Sequence, residues 1–447
     1  TEKTRRKLAW YEYDTFQDKN AKEYLRRHVK SILKEAEAKG YRSLKEVRRS
    51  GEKLQAGDKV YVSIMGKTLA LFHIGKEPME KGMNILGAHI DSPRLDLKQN
   101  PLYESDGLAL LETHYYGGIK KYQWVAMPLA LHGVVAKKDG TSVEIALGED
   151  PSDPVIGISD LLPHLAAQQN ERKLKDGIKG EELNIIVGSL PYPCEEEDSI
   201  KEPVKLLALS ILNERFGMTE KDFLRAEIEF VPAVKATDVG LDRSLVGAYG
   251  QDDKVCAYTA LTAEMKAKSP EYTTVTILAD KEEIGSVGNT GLNSDFTLHY
   301  IEGLCKAGNV DVRKVLKHSL CLSADVNAAY DPTFASVFEE KNSCYLNKGV
   351  VLTKYTGARG KSGSNDASAE TMAKVIQIMD EAGVYWQIGE LGAVDVGGGG
   401  TVALFVAGMD VDVVDMGVPI LSMHAPFELA SKLDIYNTYL AFAAFCC

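Results

Sequence analysis

Thr273-Thr274-Val275-Thr276-Ile277-Leu278-Ala279-Asp280-Lys281-Glu282-Glu283-Ile284-Gly285-Ser286 sets an apolar, β-branched run against a charged turn that closes on glycine. Side chains alternate faces along an extended chain, so two adjacent glutamates inside a strand would diverge. At a strand end that turns into a glycine-containing loop, both can be aimed at one cleft. One then binds a metal while its neighbour moves a proton. Taken by itself, Lys281 beside two glutamates also reads as a solvated turn, and the rest of the chain has to decide.

The run 273–278 is one of a series. Beyond residue 235 strands and helices alternate: helix 252–266, strands 273–278, 320–324 and 349–354, helix 366–381, strands 384–388 and 411–415, helix 426–445. Such alternation is the signature of an α/β sheet sandwiched by helices. Upstream, Tyr24, Leu25, Val29, Ile32 and Leu33 recur at helical spacing within 14–39, an amphipathic helix that Gly40 can cap. The runs 60–64 and 68–73 alternate around Gly66-Lys67 as a hairpin. A buried strand then ends in the triplet His89-Ile90-Asp91, stopped by Pro93.

Residues 98–235 differ in character. Tyr103, Tyr115, Tyr116, Tyr122 and Trp124 precede alternating segments at 130–136, 143–147 and 183–187; a loop with the acidic run 195–198, a helix at 202–216 and a strand at 223–231 follow. The expected architecture is a three-layer α/β/α domain built from 1–97 plus 236–447, with 98–235 inserted as a second, mainly β domain. A length of 447 residues, beyond the size at which one core keeps growing, also calls for two domains.

The formal charge of −12 and pI near 5.4 argue against the basic face that nucleic acid requires and against attraction to anionic membrane. Seven cysteines without a CxxC pair fit neither a disulfide framework nor a zinc knuckle, so they read as reduced thiols of a cytoplasmic protein. No run reaches about 18 apolar residues, and the charged 1–7 stretch is not followed by an apolar segment. The glycines at 397–400 are neither preceded by a phosphate-binding loop pattern nor followed by its Lys-Ser/Thr pair, and suit a tight turn or a close backbone approach to substrate.

His89 and Asp91 lie at i and i+2, hence on one face, where a carboxylate can accept the second ring N–H of a metal-bound imidazole. A lone histidine is as readily a packed structural residue. Further candidates stand at other element junctions: Asp252-Asp253 opens a helix, Glu282 and Glu283 follow one strand, Asp325 a second and His424 a third. In open α/β sheets, sites gather at the carboxyl ends of strands. Singly, Asp252 reads as a helix cap, Asp325 as a turn cap and His424 as a packed histidine. Jointly, two imidazoles with several carboxylates are the mixture that borderline dications such as zinc prefer.

Gly87-Ala88-His89-Ile90-Asp91-Ser92-Pro93-Arg94, Asp252-Asp253, Asp280-Lys281-Glu282-Glu283-Ile284-Gly285-Ser286, Ser323-Ala324-Asp325 and Leu421-Ser422-Met423-His424-Ala425-Pro426-Phe427-Glu428 resemble the motifs of the M18 metallo-aminopeptidases, the aspartyl aminopeptidase family, and occur in its order. The resemblance implies a zinc-peptidase catalytic domain that releases N-terminal residues from peptides with two divalent ions per subunit, zinc foremost, cobalt or manganese as alternatives. By motif, Asp252 would bridge the ions, His89 and Asp325 would complete one, and Glu283 and His424 the other. Glu282 would be the general base, Asp91 would orient His89, and the Asp252–Asp253 peptide would be strained or cis. The inserted domain would serve dimerisation and act as a lid, and His164, in Leu161-Leu162-Pro163-His164-Leu165, would assist a neighbouring subunit's site within a dimer-based dodecamer. Neither nucleic acid nor membrane is an implied partner.

The chain departs from the family where a histidine-rich continuation is matched by Val326-Asn327-Ala328-Ala329-Tyr330-Asp331-Pro332, and where Lys354 is displaced by one position. A preference for acidic N-terminal residues therefore stays open, with Arg359 and Lys361 either serving an acidic side chain or facing water. The alternatives are another metal-dependent amide hydrolase, an M42-like broad aminopeptidase or a deacylase, and a catalytically idle metal-binding or assembly protein.

Overall fold

The computed structural model describes residues 25–193, 200–308 and 310–447. The expected helix at 14–39 is present as Leu25–Ala38, while its first part, 14–24, and the acidic run 195–198 lie outside the described residues. The architecture is mixed α/β with several sheets, and chain contacts divide it into two compact units.

The first unit comprises the described residues up to Ser92 with Ala236–Met423 and Phe427–Cys447. Its main sheet has nine strands in the order Arg42–Ser43, Lys59–Ile64, Thr68–His73, Thr273–Ala279, Met83–His89, Leu320–Ser323, Asp412–Gly417, Val350–Thr353 and Trp386–Ile388. The four strands from Thr273–Ala279 to Asp412–Gly417 run parallel. The hairpin around Gly66-Lys67 extends the sheet antiparallel on one side.

All seven residues of Thr273–Ala279 are buried, which is why this strand reads as an uninterrupted apolar and threonine run. Alternate residues feed two separate cores. Leu86, Ala88, Leu278 and Leu322 pack with Val255 and Ala260 of the helix Gln251–Lys266 and with Phe442 and Phe445 of Lys432–Phe445. Ile85, Val275, Ile277 and Cys321 pack with Ile301, Leu304, Val315 and Leu316 from the helices Phe296–Gly308 and Val312–Lys317. Each fully buried aliphatic side chain contributes about 1.5–3 kcal/mol over an exposed one.

Register then places the chemistry. Ala279 pairs with His89, and Ser323 with Gly87, so the segments that carry Glu282, Glu283 and Asp325 leave the sheet beside His89. A five-stranded sheet, Thr237–Val239, Leu245–Ala248, Glu428–Ser431, Pro419–Leu421 and Asn327–Ala328, pairs Ala248 with Glu428 just ahead of Asp252.

The second unit is Pro93–Lys235 with His424–Pro426. Its strands run Ala226–Pro232, Arg94–Ser105, Leu108–Tyr116, Ile185–Gly188, Ile156–Gly157, Pro128–Ala136 and Ser142–Leu147. Ala226–Pro232 also pairs with Pro128–Ala136, so six of the strands close into a ring with Ser142–Leu147 outside it. The expected strand at 223–231 begins only at Ala226. Residues Glu220–Arg225 form a 3-10 turn because Asp222 accepts both the Thr219 N–H and hydroxyl at 2.8 Å. The expected helix at 426–445 divides into the strand Glu428–Ser431 and the helix Lys432–Phe445, where the Ser431 hydroxyl accepts the Leu433 N–H. Among the described residues no helix is long and apolar enough to cross a membrane.

Candidate metal centre

His89 ends its strand with Nδ1 3.1 Å from the Asp91 carbonyl oxygen and 3.4 Å from Asp91 Oδ1. Its Nε2 lies 3.1 Å from Asp252 Oδ1, 3.8 Å from Glu282 Oε2 and 4.0 Å from Asp325 Oδ1. With the Nδ1 hydrogen donated to the Asp91 carbonyl, the Nε2 lone pair faces carboxylate oxygens, acceptor against acceptors. Only a cation, a proton or a metal ion, makes that arrangement attractive. Donor atoms of His89, Asp252 and Glu283 lie within 4.8 Å of one another, and so do those of His89, Asp253 and Asp325.

Burial alone would push the His89 imidazole down, yet its bonds to Asp252 and Asp91 and the charges of Glu282 and Asp325 lift it well above its usual range. Burial raises Asp325 well above the carboxylate range, and the neighbouring Asp253 and Asp252 raise it further. Asp253 is raised first by burial and then by Asp252, against the pull of His89. Carboxylates this crowded must hold protons unless a cation shares the space. One imidazole among several buried carboxylates is a donor set that fits a divalent ion such as zinc.

Local sequence explains each placement. Lys281, at φ 67°, and Gly285, at φ 88°, are left-handed and bracket the 3-10 turn Glu282–Ile284. Asp91 fastens this turn, because its Oδ1 accepts the Glu282 N–H at 3.1 Å and its Oδ2 the Glu283 N–H at 3.2 Å. Asp280 Oδ2 accepts the Thr290 hydroxyl at 2.7 Å, and Thr68 donates to the Thr290 carbonyl at 2.5 Å, closing the loop behind the glutamates. Glu428 Oε2 accepts the Asp252 N–H at 3.1 Å, and the Ser92 hydroxyl donates to the Asp252 carbonyl at 2.9 Å. The Asp252–Asp253 peptide bond is cis. Asp325 needs glycine opposite it, since a Cβ at Gly417 would lie 1.9 Å from the Asp325 carbonyl oxygen.

Of the residues named from sequence, His89, Asp91, Asp252, Glu282, Glu283 and Asp325 therefore lie together. His424 packs in the second unit, with Nδ1 2.8 Å from the Gly118 carbonyl oxygen. His164 sits in the exposed 3-10 turn Pro163–Leu165, beside Leu162 and Leu165, which are 50% and 68% exposed. Two residues were given no role from sequence. Asp253 was quoted with Asp252 only, and its Oδ2 accepts the His89 backbone N–H at 3.3 Å. Glu428 closed a quoted motif, but its hold on Asp252, 176 positions away, has no local signal.

Residues 18–446 match the family described as aminopeptidase I zinc metalloprotease (M18). A probable M18 family aminopeptidase 1 of Clostridium acetobutylicum is 51% identical over 98% of this chain and 97% of its own. The crystal structure of the M18 aminopeptidase of Thermotoga maritima superposes with a TM-score of 0.94 at 44% identity, covering 98% of this chain and 96% of that one. The more distant yeast mApe1 dodecamer, 21% identical, shares the fold at a TM-score of 0.78, covering 98% and 96%. On sequence over nearly its full length and on backbone shape alike, the chain belongs to the M18 family of zinc metalloproteases and is a metal-dependent aminopeptidase, a hydrolase acting on peptides.

Proposed function

We propose that the protein removes single N-terminal residues from peptides with two divalent ions, which Asp252, His89, Asp325, Glu283 and His424 would hold, Asp252 being shared between the pair His89 and Asp325 and the pair Glu283 and His424. The observation that carries this reading is the His89 Nε2 lone pair facing Asp252, Glu282 and Asp325. The Gly118 carbonyl supports the His424 assignment, because a hydrogen donated from Nδ1 leaves Nε2 as the ring's ligand atom. The catalytic domain is the three-layer α/β/α body of 1–97 plus 236–447, and 98–235 is the inserted dimerisation and lid domain.

Divalent ions bound there would polarise the scissile carbonyl and acidify an attacking water. Glu282 takes that water's proton as its oxygen adds to the carbonyl carbon, and hands the proton to the amine nitrogen as the C–N bond breaks. Asp91 keeps the Glu282 and Glu283 backbone and the His89 ring in one frame. Self-association into a dimer-based dodecamer would bring the exposed His164 turn to a neighbour's site; the yeast structure of the same fold is a dodecamer.

Lys361 Nζ lies 3.0 Å from Asp366, which Lys354 also binds, so one carboxylate is shared by two lysines and the patch that includes Arg359 keeps a net positive charge. A preference for acidic first residues and a broad tolerance are separated by substrate. The test is a panel of aminoacyl anilides, acidic ones included, against N-acyl amines on zinc-loaded protein. Release of free N-terminal residues is expected; exclusive cleavage of acylated amines would make the protein a deacylase, and no hydrolysis with metal retained would make it a binding protein.

A further inference from the structure

The ring of strands in the second unit holds space that its own side chains do not fill. A cavity of about 400 Å³ is lined by Leu111, Leu131 and Ile228 of the strands and by Ala208, Leu212 and Phe216 of the helix Pro203–Phe216. Protein interiors are close-packed, with few voids larger than a water molecule. Apolar cavities of about 150 Å³ already stay dry and accept benzene, and pockets for small molecules begin at about 300 Å³. Among the described residues every side chain lining this cavity is apolar except Ser189 and Arg215, and no carboxylate is among them.

The cavity reaches solvent. Val155 and Ile211 line it while 53% and 46% exposed, so a ligand has a way in beside the helix. Arg215 is exposed in the last turn of that helix, and no ion pair or hydrogen bond joins it to another described residue. An ionised group cannot enter the apolar interior without a large desolvation penalty, but at the mouth it meets a planar guanidinium suited to bidentate bonding. The chemistry that satisfies both parts is one hydrocarbon tail with one anionic head. Among the described lining residues Arg215 is the one cation, and one cation matches one carboxylate.

We propose that this cavity binds a linear aliphatic monocarboxylate, its tail among the leucines and isoleucines of the strand ring and its head on Arg215. The volume equals that of about thirteen waters at about 30 Å³ each, of the order of a ten-carbon chain. Binding there is separate from peptide hydrolysis, so the test reads binding directly.

Decanoate, decan-1-ol and butyrate are titrated calorimetrically into full-length, zinc-loaded protein. One decanoate per chain is expected, with decan-1-ol weaker by about fivefold to tenfold for want of the charged head, and butyrate without measurable heat. Arg215→Gln should bring decanoate down to the decan-1-ol level and leave peptide hydrolysis unchanged. Leu131→Trp, which fills the interior, should abolish binding; Ile211→Trp at the exposed mouth makes the same test without touching the core. Non-saturable binding, or equal affinity in the Arg215→Gln and Ile211→Trp proteins, would overturn the proposal. So would a decanoate-inert protein whose Arg215→Gln variant changes particle mass, because the mouth would then be a contact between copies of this chain.

Discussion

Asp91→Asn separates an orienting carboxylate from an incidental one. The Asp91 side chain is buried and accepts two backbone N–H groups, from Glu282 at 3.1 Å and Glu283 at 3.2 Å. Asparagine keeps one acceptor oxygen but turns an NH2 group toward the second N–H, donor against donor. One charge-assisted bond is lost, at about 1.5–3 kcal/mol, and a buried donor is stranded. At about 1.4 kcal/mol per factor of ten, kcat/KM should fall about 10- to 150-fold, in line with the 10- to 100-fold range for groups that orient metal ligands. The assay is steady-state hydrolysis of an aminoacyl anilide by zinc-saturated enzyme, with zinc affinity measured by chelator competition. The loss should appear in kcat and in zinc affinity, with KM little changed, if Asp91 positions ligands and base, as proposed, rather than substrate. A variant within threefold of wild type, or one altered in KM alone, would refute this role.

Gly417→Ala forces a Cβ to within 1.9 Å of the Asp325 carbonyl oxygen and 2.9 Å of Cys256 Sγ, a clash that only backbone movement relieves. Thermal unfolding should show destabilisation of about 3 kcal/mol or more, and elemental analysis a substoichiometric metal content. Glu264 is buried against Tyr41 and Thr276, and burial raises its carboxyl from 4.5 to about 7. Between those values the folded state holds a proton that the unfolded state has released, so stability falls as pH rises through that window, by up to about 3 kcal/mol. Glu264→Gln removes that dependence. Its melting temperature should gain on wild type from pH 5 to pH 8, and a constant difference would show that Glu264 titrates normally.

The chemistry at the strand ends was legible because three signals coincided there: a buried apolar run, a turn-forming break, and side chains limited to His, Asp and Glu. The run 273–278 and the quoted 83–94 motif announced their own burial, and parallel register then carried His89 beside Ala279. The strands Arg94–Ser105 and Leu108–Tyr116 were not legible. A register shift between Leu97 and Leu102 breaks their alternation, and polar residues occupy the exposed middle of the first. The strand Glu428–Ser431 was hidden inside an apparent helix, because one of its pairing partners, 245–248, is remote in sequence. Glu428 and Asp253 depend on the same kind of information, contacts that exist only once separate segments meet.

The most direct test of the account is Glu282→Gln, assayed together with its metal content. The substitution removes the carboxylate proposed to accept the proton while leaving His89, Asp252, Glu283 and Asp325 in place. Two divalent ions per chain with turnover reduced by at least about 10²-fold is the predicted result. Two ions per chain with turnover near wild type would contradict the assignment of Glu282 as base, and fewer than two ions in an active wild-type enzyme would contradict the dinuclear centre itself.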